Sequence, residues 1–399
     1  MKRFDKNKQL KKLHNRKNNN STKIISIVLS VTILIGAIIY FTFARFESNT
    51  SYTLISGTAT FKKEVMYTKL INLESAGASD LQYDTTTDNN LRYVGTNPNN
   101  YIYFNCSTQV VSEMNDETCE KWRIIGYMKK LLFPYAPSVS GTKIIRAEPL
   151  GKHSWDLDNS VNNGFGTNAW GNWEGYEGAD LMLQLNNYYL NNGQSDNRWY
   201  TEDNAIITER PEFKLINENA KTFLQTIRWN TTPMNYEDNS TYAVNYLTLN
   251  APSIYSKERL RVTNNEWCYT SAACNDGVAR KEYAEGIIGL INPSDYLYAT
   301  GGGSQINRDA CINATMSEWK SSEYEDCINN NWMNFHKRMW TITAYSGTGG
   351  VVTSVELNGV VTTFPASYIN FVYPTAILKS VTKVISGDGS ESKPYKIEI

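Results

Sequence analysis

Histidine is nearly missing from this sequence. His14, His153 and His336 are the only imidazoles among 399 residues. A zinc centre draws on several imidazoles or thiolates at short spacing, and no C-x-x-C pair occurs, so no metal is expected. A Ser-His-Asp relay needs three side chains that converge in space. In Lys152-His-Ser-Trp-Asp156 the serine and aspartate are sequence neighbours of His153, which is the pattern of a polar turn. No Gly-x-Ser-x-Gly elbow is present. Gly301-Gly-Gly-Ser304 and Gly347-Thr-Gly-Gly350 lack the Gly-Lys-Ser/Thr of a phosphate loop, and Gly387-Asp-Gly389 lacks the spacing of a calcium loop; all three read as turns. Acidic couples such as Glu177 with Asp180, or Glu323 with Glu325 and Asp326, sit in an acidic body and read as solvated surface. No internal repeat is evident. No catalytic residue and no cofactor is therefore expected.

Charge of one sign is also missing locally. Residues 1 to 46 hold ten Lys or Arg and a single acid, Asp5, whereas residues 47 to 399 carry a net charge of −10. Between the two lies an uncharged run from Ile24 to Phe43, long enough as a helix to cross a hydrocarbon core of roughly 30 Å. Nine basic residues precede it and only Arg45 closely follows, which places the N-terminus in the cytoplasm by the positive-inside rule. The run exceeds the apolar core of a signal peptide and no small-x-small site follows it, so an uncleaved anchor is expected. The expected organisation is a basic cytoplasmic tail (1–23), a transmembrane helix (24–46, apolar at 24–43), a Ser/Thr-rich spacer (47–60) and an extracellular domain (61–399). A basic tail abutting a membrane is topogenic, so nucleic acid is not an expected partner.

All six cysteines, Cys106, Cys119, Cys268, Cys274, Cys311 and Cys327, lie beyond the membrane run, in a compartment that permits oxidation. Fifteen pairings are possible, and short local loops favour Cys106 with Cys119, Cys268 with Cys274 and Cys311 with Cys327.

Within the external body, apolar spacing predicts helices at Phe61–Leu73, Asp180–Asn191 and Glu212–Trp229, the last with Pro211 at its first turn. Strands are expected at Tyr101–Phe104, Trp122–Met128, Lys143–Arg146, Tyr242–Leu247, Gly286–Ile291, Trp340–Tyr345, Val351–Val361, Ser367–Val372, Thr375–Ile385 and Tyr395–Ile399. Residues 230 to 285 read as mainly loop. Strands, then helices, then strands again imply an α+β domain with a mainly antiparallel sheet and two or three helices.

The chain has ten tryptophans and 26 tyrosines; tyrosine with abundant asparagine suits turns and wet binding surfaces, but codon usage in an AT-rich genome enriches both and is the default explanation. Trp170-Gly-Asn-Trp-Glu-Gly-Tyr176 and Asn329-Asn-Asn-Trp-Met-Asn-Phe335 mix aromatic faces with amides, as adaptable binding loops do. Trp170, Trp173, Tyr176, Asn331, Trp332 and Asn334 are the candidate binding residues. The competing expectation is that the tryptophans of these loops, and Trp340 in its strand, are core anchors.

Several phrases carry a resemblance: Asn89-Asn-Leu-Arg-Tyr-Val-Gly-Thr-Asn-Pro-Asn-Asn-Tyr101, Thr118-Cys-Glu-Lys-Trp-Arg-Ile-Ile-Gly126, Ile288-Gly-Leu-Ile-Asn-Pro-Ser-Asp-Tyr-Leu-Tyr-Ala-Thr300, Trp340-Thr-Ile-Thr343 and Val384-Ile-Ser-Gly-Asp-Gly-Ser-Glu-Ser-Lys-Pro-Tyr395. From about residue 65 onward the chain resembles membrane-anchored surface proteins of low-GC Gram-positive bacteria. More distantly it is similar to C-type-lectin-like modules, the scaffold shared with formylglycine-generating enzymes. The lectin calcium and sugar signature is absent, since Glu148-Pro149 is followed by Leu150, and no active-site cysteine pair of the oxidase type is matched. The resemblance implies a surface protein but assigns no activity; the topology, the lack of catalytic motifs and the aromatic and amide loops lead to the expectation that the external domain recognises a glycan or protein ligand. Alternatives are a cell-surface enzyme, either a cell-wall hydrolase or a formylglycine-generating relative, and a pilin-like structural component.

Overall fold

The computed structural model describes residues 50–54, 57–61, 63–133, 136–157, 178–207, 215–230, 248–264, 267–268, 280–281, 283–344 and 351–398. Two compact units divide the chain, Met1–Lys63 and Glu64–Ile399. In the first, Thr50–Leu54 and Gly57–Phe61 form an antiparallel hairpin with Thr50 opposite Phe61. Its threonines suit a pleated strand, so part of the stretch expected as a spacer has regular structure. The basic tail and the apolar run 24–43 lie outside the described residues. Among those that are described, no helix is long and apolar enough to cross a membrane.

The second unit is α+β, with mainly antiparallel sheets. Its largest sheet has seven strands: Ile288–Gly289, Thr375–Lys379, Ala136–Arg146, Glu120–Phe133, Leu91–Tyr93 and Leu81–Tyr83 in that order, with Tyr101–Phe104 also paired to Glu120–Phe133. Trp122, Ile124, Ile125 and Met128 of the central strand are all buried, so this strand is covered on both faces and reads as a continuous apolar run. Gly126 sits at a register shift, where a Cβ would meet the Leu91 carbonyl oxygen at 2.3 Å; only glycine lets the two strands approach there. A five-stranded sheet runs Val361–Pro365, Val351–Val355, Met339–Ala344, Ile369–Phe371 and Lys152–Ser154, and its pairing of Met339 with Phe371 is parallel. A three-stranded sheet joins Lys396–Glu398, Lys383–Ser386 and Glu64–Val65.

Helix positions depart from expectation in specific ways. The first runs Met66–Ser75, not Phe61–Leu73, because Glu64 and Val65 pair with Val384 and Lys383 as a strand. Asp180–Leu183 continues into a π-helical turn, Gln184–Tyr189, and together they bury Leu181, Leu185 and Tyr189 as the spacing required. The helix expected at Glu212–Trp229 is reduced to Glu218–Phe223; Asn217 caps it by accepting the Ala220 N–H, and Ile227–Asn230 leaves it as a strand against Tyr283–Gly286. Pro211 and the expected strand Tyr242–Leu247 fall outside the described residues. The region read as loop contains a 14-residue helix, Ala251–Asn264. Short helices Pro293–Tyr298, Arg308–Asn313 and Glu325–Asn329 were not anticipated either.

Disulfides join Cys106 to Cys119 and Cys311 to Cys327, as local pairing predicted. The expected Cys268–Cys274 pair cannot be placed among the described residues, since Cys274 lies outside them. The core is rich in indoles: Trp122, Trp155, Trp199, Trp229, Trp319 and Trp340 are all fully buried. Trp340 donates its indole N–H to the His153 carbonyl at 2.8 Å, the core-anchor role expected for it.

Candidate functional site

Of the six residues expected to bind a ligand, Trp170, Trp173 and Tyr176 lie outside the described residues. Asn331 and Trp332 are only 3% exposed. Trp332 donates to the Tyr93 carbonyl at 2.9 Å and presents its ring to the Arg123 guanidinium, 4.5 Å from the centroid. Tyr101 covers the guanidinium at the same distance. Burial lowers the Arg123 pKa to about 10 despite the neighbouring Tyr101. Asn331 donates to the Tyr296 carbonyl and accepts from the Met333 N–H, while half-buried Asn334 accepts from the His336 N–H. Buried polar groups need such partners. In this loop the aromatic and amide groups are therefore spent on tertiary structure, and the stacking face of Trp332 belongs to Arg123.

His153 is fully buried. Its Nε2 lies 2.8 Å from Asp196 Oδ2 and its Nδ1 lies 2.6 Å from the Ser154 carbonyl oxygen. Burial opposes ionisation of Asp196, yet its bonds to His153 and Arg198 keep its pKa below the usual carboxylate value. Asp180, expected at a helix start, stands there and also accepts from Arg198 at 3.1 Å. The imidazole thus belongs to a structural ion network, and among the described residues no hydroxyl or thiol is a hydrogen-bond partner of it.

A cleft of about 320 Å³ lies elsewhere, within the size range of small-ligand sites. One wall is Tyr103-Phe-Asn-Cys106, at the exit of the strand Tyr101–Phe104; the other is Asn219, Thr222 and Phe223 of the helix Glu218–Phe223. Thr108, Gln109 and Met114 form the lip, and Ile397 and Glu398 close one end. Sequence reasoning missed these residues because they are scattered over nearly 300 positions and no single segment carries the mixture.

The walls are held apart by paired amides. Asn105, in the left-handed region at φ +53°, donates to the Leu215 carbonyl at 3.0 Å and accepts the Asn217 N–H at 2.9 Å. Asn217 in turn donates to the Cys106 carbonyl at 2.7 Å and caps the helix. Asparagine tolerates this backbone geometry better than most residues. Phe104 is fixed edge-on between Trp122 and Phe223, with ring centroids 5.2 and 6.5 Å away. The Cys106–Cys119 disulfide, Tyr103 and Met114 form a small apolar cluster of their own beneath the lip. Tyr103 donates its hydroxyl to Asp116 at 2.7 Å; burial and this carboxylate push its pKa to about 12. Asp116 is held below the usual carboxylate range by its bonds from Lys121 and Tyr103.

Gln109, Asn219 and Thr222 are exposed at the rim, Phe223 is half-buried, and Glu398 is the one charged lining residue. Such a surface offers an aromatic face, amide donors and acceptors, and little net charge. It suits a neutral polar ligand with an apolar side, as a sugar ring or a short peptide has. Among the described residues no group of three His, Cys, Asp or Glu could hold a metal ion.

Comparison with protein-family models, with curated proteins and with solved structures returns no match to this chain.

Proposed function

We propose that this protein is a single-pass, membrane-anchored surface protein whose extracellular domain, on a C-type-lectin-like scaffold, binds a glycan or protein ligand. The cleft between the Cys106 segment and the Glu218–Phe223 helix is the observation that carries the reading, because it combines size, exposure and an amide and aromatic lining. The 24–43 apolar run and the charge asymmetry around it support the topology. Two disulfides support an oxidising compartment. An enzymatic role has less support, since the buried His153 pairs with Asp196 and a backbone carbonyl.

The test is binding of full-length protein in detergent to a panel of glycans, mucins and matrix proteins, with Gln109→Ala and Phe223→Ala as variants. Saturable binding that is lost in both folded variants supports the assignment. Binding that both variants leave intact, or no binding across the panel, overturns it.

A further inference from the structure

The most heavily ionic part of the interior lies away from this cleft. Arg92, on the strand Leu91–Tyr93, bonds Asp84 at 2.8 Å and Asp295 at 3.0 Å, and Lys143 reaches the other oxygen of Asp295 at 2.5 Å. All four side chains are at most 8% exposed. Burial works against ionisation of Asp295, but Lys143 and Arg92 outweigh it and keep the pKa below the carboxylate norm. An ordinary ion network ends there. This one has a further feature: Lys143 Nζ also stands 3.2 Å from the side-chain oxygen of Asn292, itself buried.

Two elements place the three groups. Lys143 projects from the strand Ala136–Arg146. Asn292 precedes the helix Pro293–Tyr298, and Asp295 Oδ2 accepts the Asn292 N–H at 3.0 Å, fixing carboxylate and amide to one turn. Trp229 lies over the ammonium, 5.4 Å from its ring centroid, and its ring sits where a side chain on Gly289 would be, with a Cβ there only 2.8 Å from ring carbons. Glu258, from the helix Ala251–Asn264, lines the same small chamber and accepts both the N–H and the hydroxyl of Ser294. An amine, a carboxamide and two carboxyls, all on buried side chains, are thus gathered in one chamber.

From this juxtaposition we propose that Lys143 and Asn292 form an intramolecular amide cross-link. Glu258, which lines the chamber with Lys143 and is its more basic carboxylate, takes a proton from the Lys143 ammonium, and the free amine attacks Asn292 Cγ. A bond forms between Lys143 Nζ and Asn292 Cγ, the Asn292 Cγ–Nδ2 bond breaks, and the nitrogen leaves as ammonium, having gained one proton from Nζ and a second, the one first taken from the Lys143 ammonium, from a carboxyl of the chamber. No oxidant or cofactor enters the balance. Glu258 is suited to proton delivery, because burial first, and Asp295 second, raise its pKa to about 7. Asn292 is a better acceptor than Asp295, whose carboxylate is anionic and shared between two cations. Proximity in a rigid site replaces an unfavourable encounter between amine and amide.

Intact mass of the full-length chain, reduced and denatured, reads the outcome directly. The expected mass is lower than the sequence mass by one ammonia, and a digest yields a branched peptide joining Lys143 to Asn292. Asn292→Ala leaves the Lys143–Asp295 pair in place and restores the full mass for its own sequence, while Glu258→Gln lowers the linked fraction in a folded protein. A full sequence mass in the unaltered protein overturns the proposal. Loss of one water, with a branch to Asp295, overturns the choice of acceptor and of mechanism. An ammonia loss that persists in Asn292→Ala assigns the change to another amide and likewise overturns it.

Discussion

Replacing Trp332 with alanine separates a packing role from a binding role for the aromatic residue that sequence reasoning placed in a binding loop. Removing a buried indole costs about 3–5 kcal/mol through lost contact and the cavity that remains. The Tyr93 carbonyl, which accepts the indole N–H at 2.9 Å, is left without that donor, at a cost of about 1–3 kcal/mol. One face of the buried Arg123 guanidinium is uncovered as well, a loss of about 1–2 kcal/mol for a desolvated cation on a ring. These contributions share one site and do not add fully, so the net expectation is about 4–6 kcal/mol, a large part of the 5–15 kcal/mol that stabilises a typical domain. Urea unfolding followed by circular dichroism measures it. Trp332→Phe keeps an aromatic face over Arg123 but not the N–H, and is expected to lose only about 1–3 kcal/mol. A Trp332→Ala variant within about 1 kcal/mol of the parent, yet deficient in ligand binding, would refute the placement of this indole in the core.

Two further outcomes follow from the described geometry. Glu258 has a folded pKa near 7 against an unfolded value of 4.5, so the folded state retains a proton that the unfolded state releases as pH rises between those values. Stability is expected to fall by up to about 3 kcal/mol across that window and to level off above it, and Glu258→Gln is expected to flatten the slope in pH-dependent urea titrations; a parent protein with no slope there contradicts the burial argument. Replacing Cys106 and Cys119 together with serine releases the 107–118 loop that forms the lip of the cleft, with an expected loss of about 2–4 kcal/mol. Ligand binding should weaken with it, and calorimetry on the double variant that finds unchanged affinity removes the lip from the site.

Legibility from sequence tracked the locality of the signal. The disulfides Cys106–Cys119 and Cys311–Cys327 were readable because short loops favour neighbours. The strand Glu120–Phe133 was readable in part because Trp122 to Met128 is almost wholly apolar. The helix Ala251–Asn264 was not, because its inward face includes Ala251, Ile254 and Glu258, and a buried carboxylate breaks the apolar stripe that identifies a helix. Glu212–Trp229 has helical spacing throughout, but pairing of Ile227–Asn230 with Tyr283–Gly286 outweighed it. The abundance of asparagine has a partial structural account: Asn89, Asn105, Asn192, Asn197 and Asn204 all occupy left-handed backbone positions. Neither the cleft nor the Lys143–Asn292 approach leaves a local trace, since each depends on segments more than 100 residues apart.

The sheet formed by Glu64–Val65, Lys383–Ser386 and Lys396–Glu398 sets an order of events for a chain that emerges from its N-terminus. The opening strand of the larger unit has no partner until more than 300 further residues have been delivered, because Val65 and Glu64 pair with Lys383 and Val384. Tyr101 and Tyr103 wait almost as long for their backbone bonds to Tyr395. Closure is therefore a late, long-range step with a large loop-entropy cost. A chain interrupted before residue 383 lacks the middle strand of this sheet however well its earlier segments have formed.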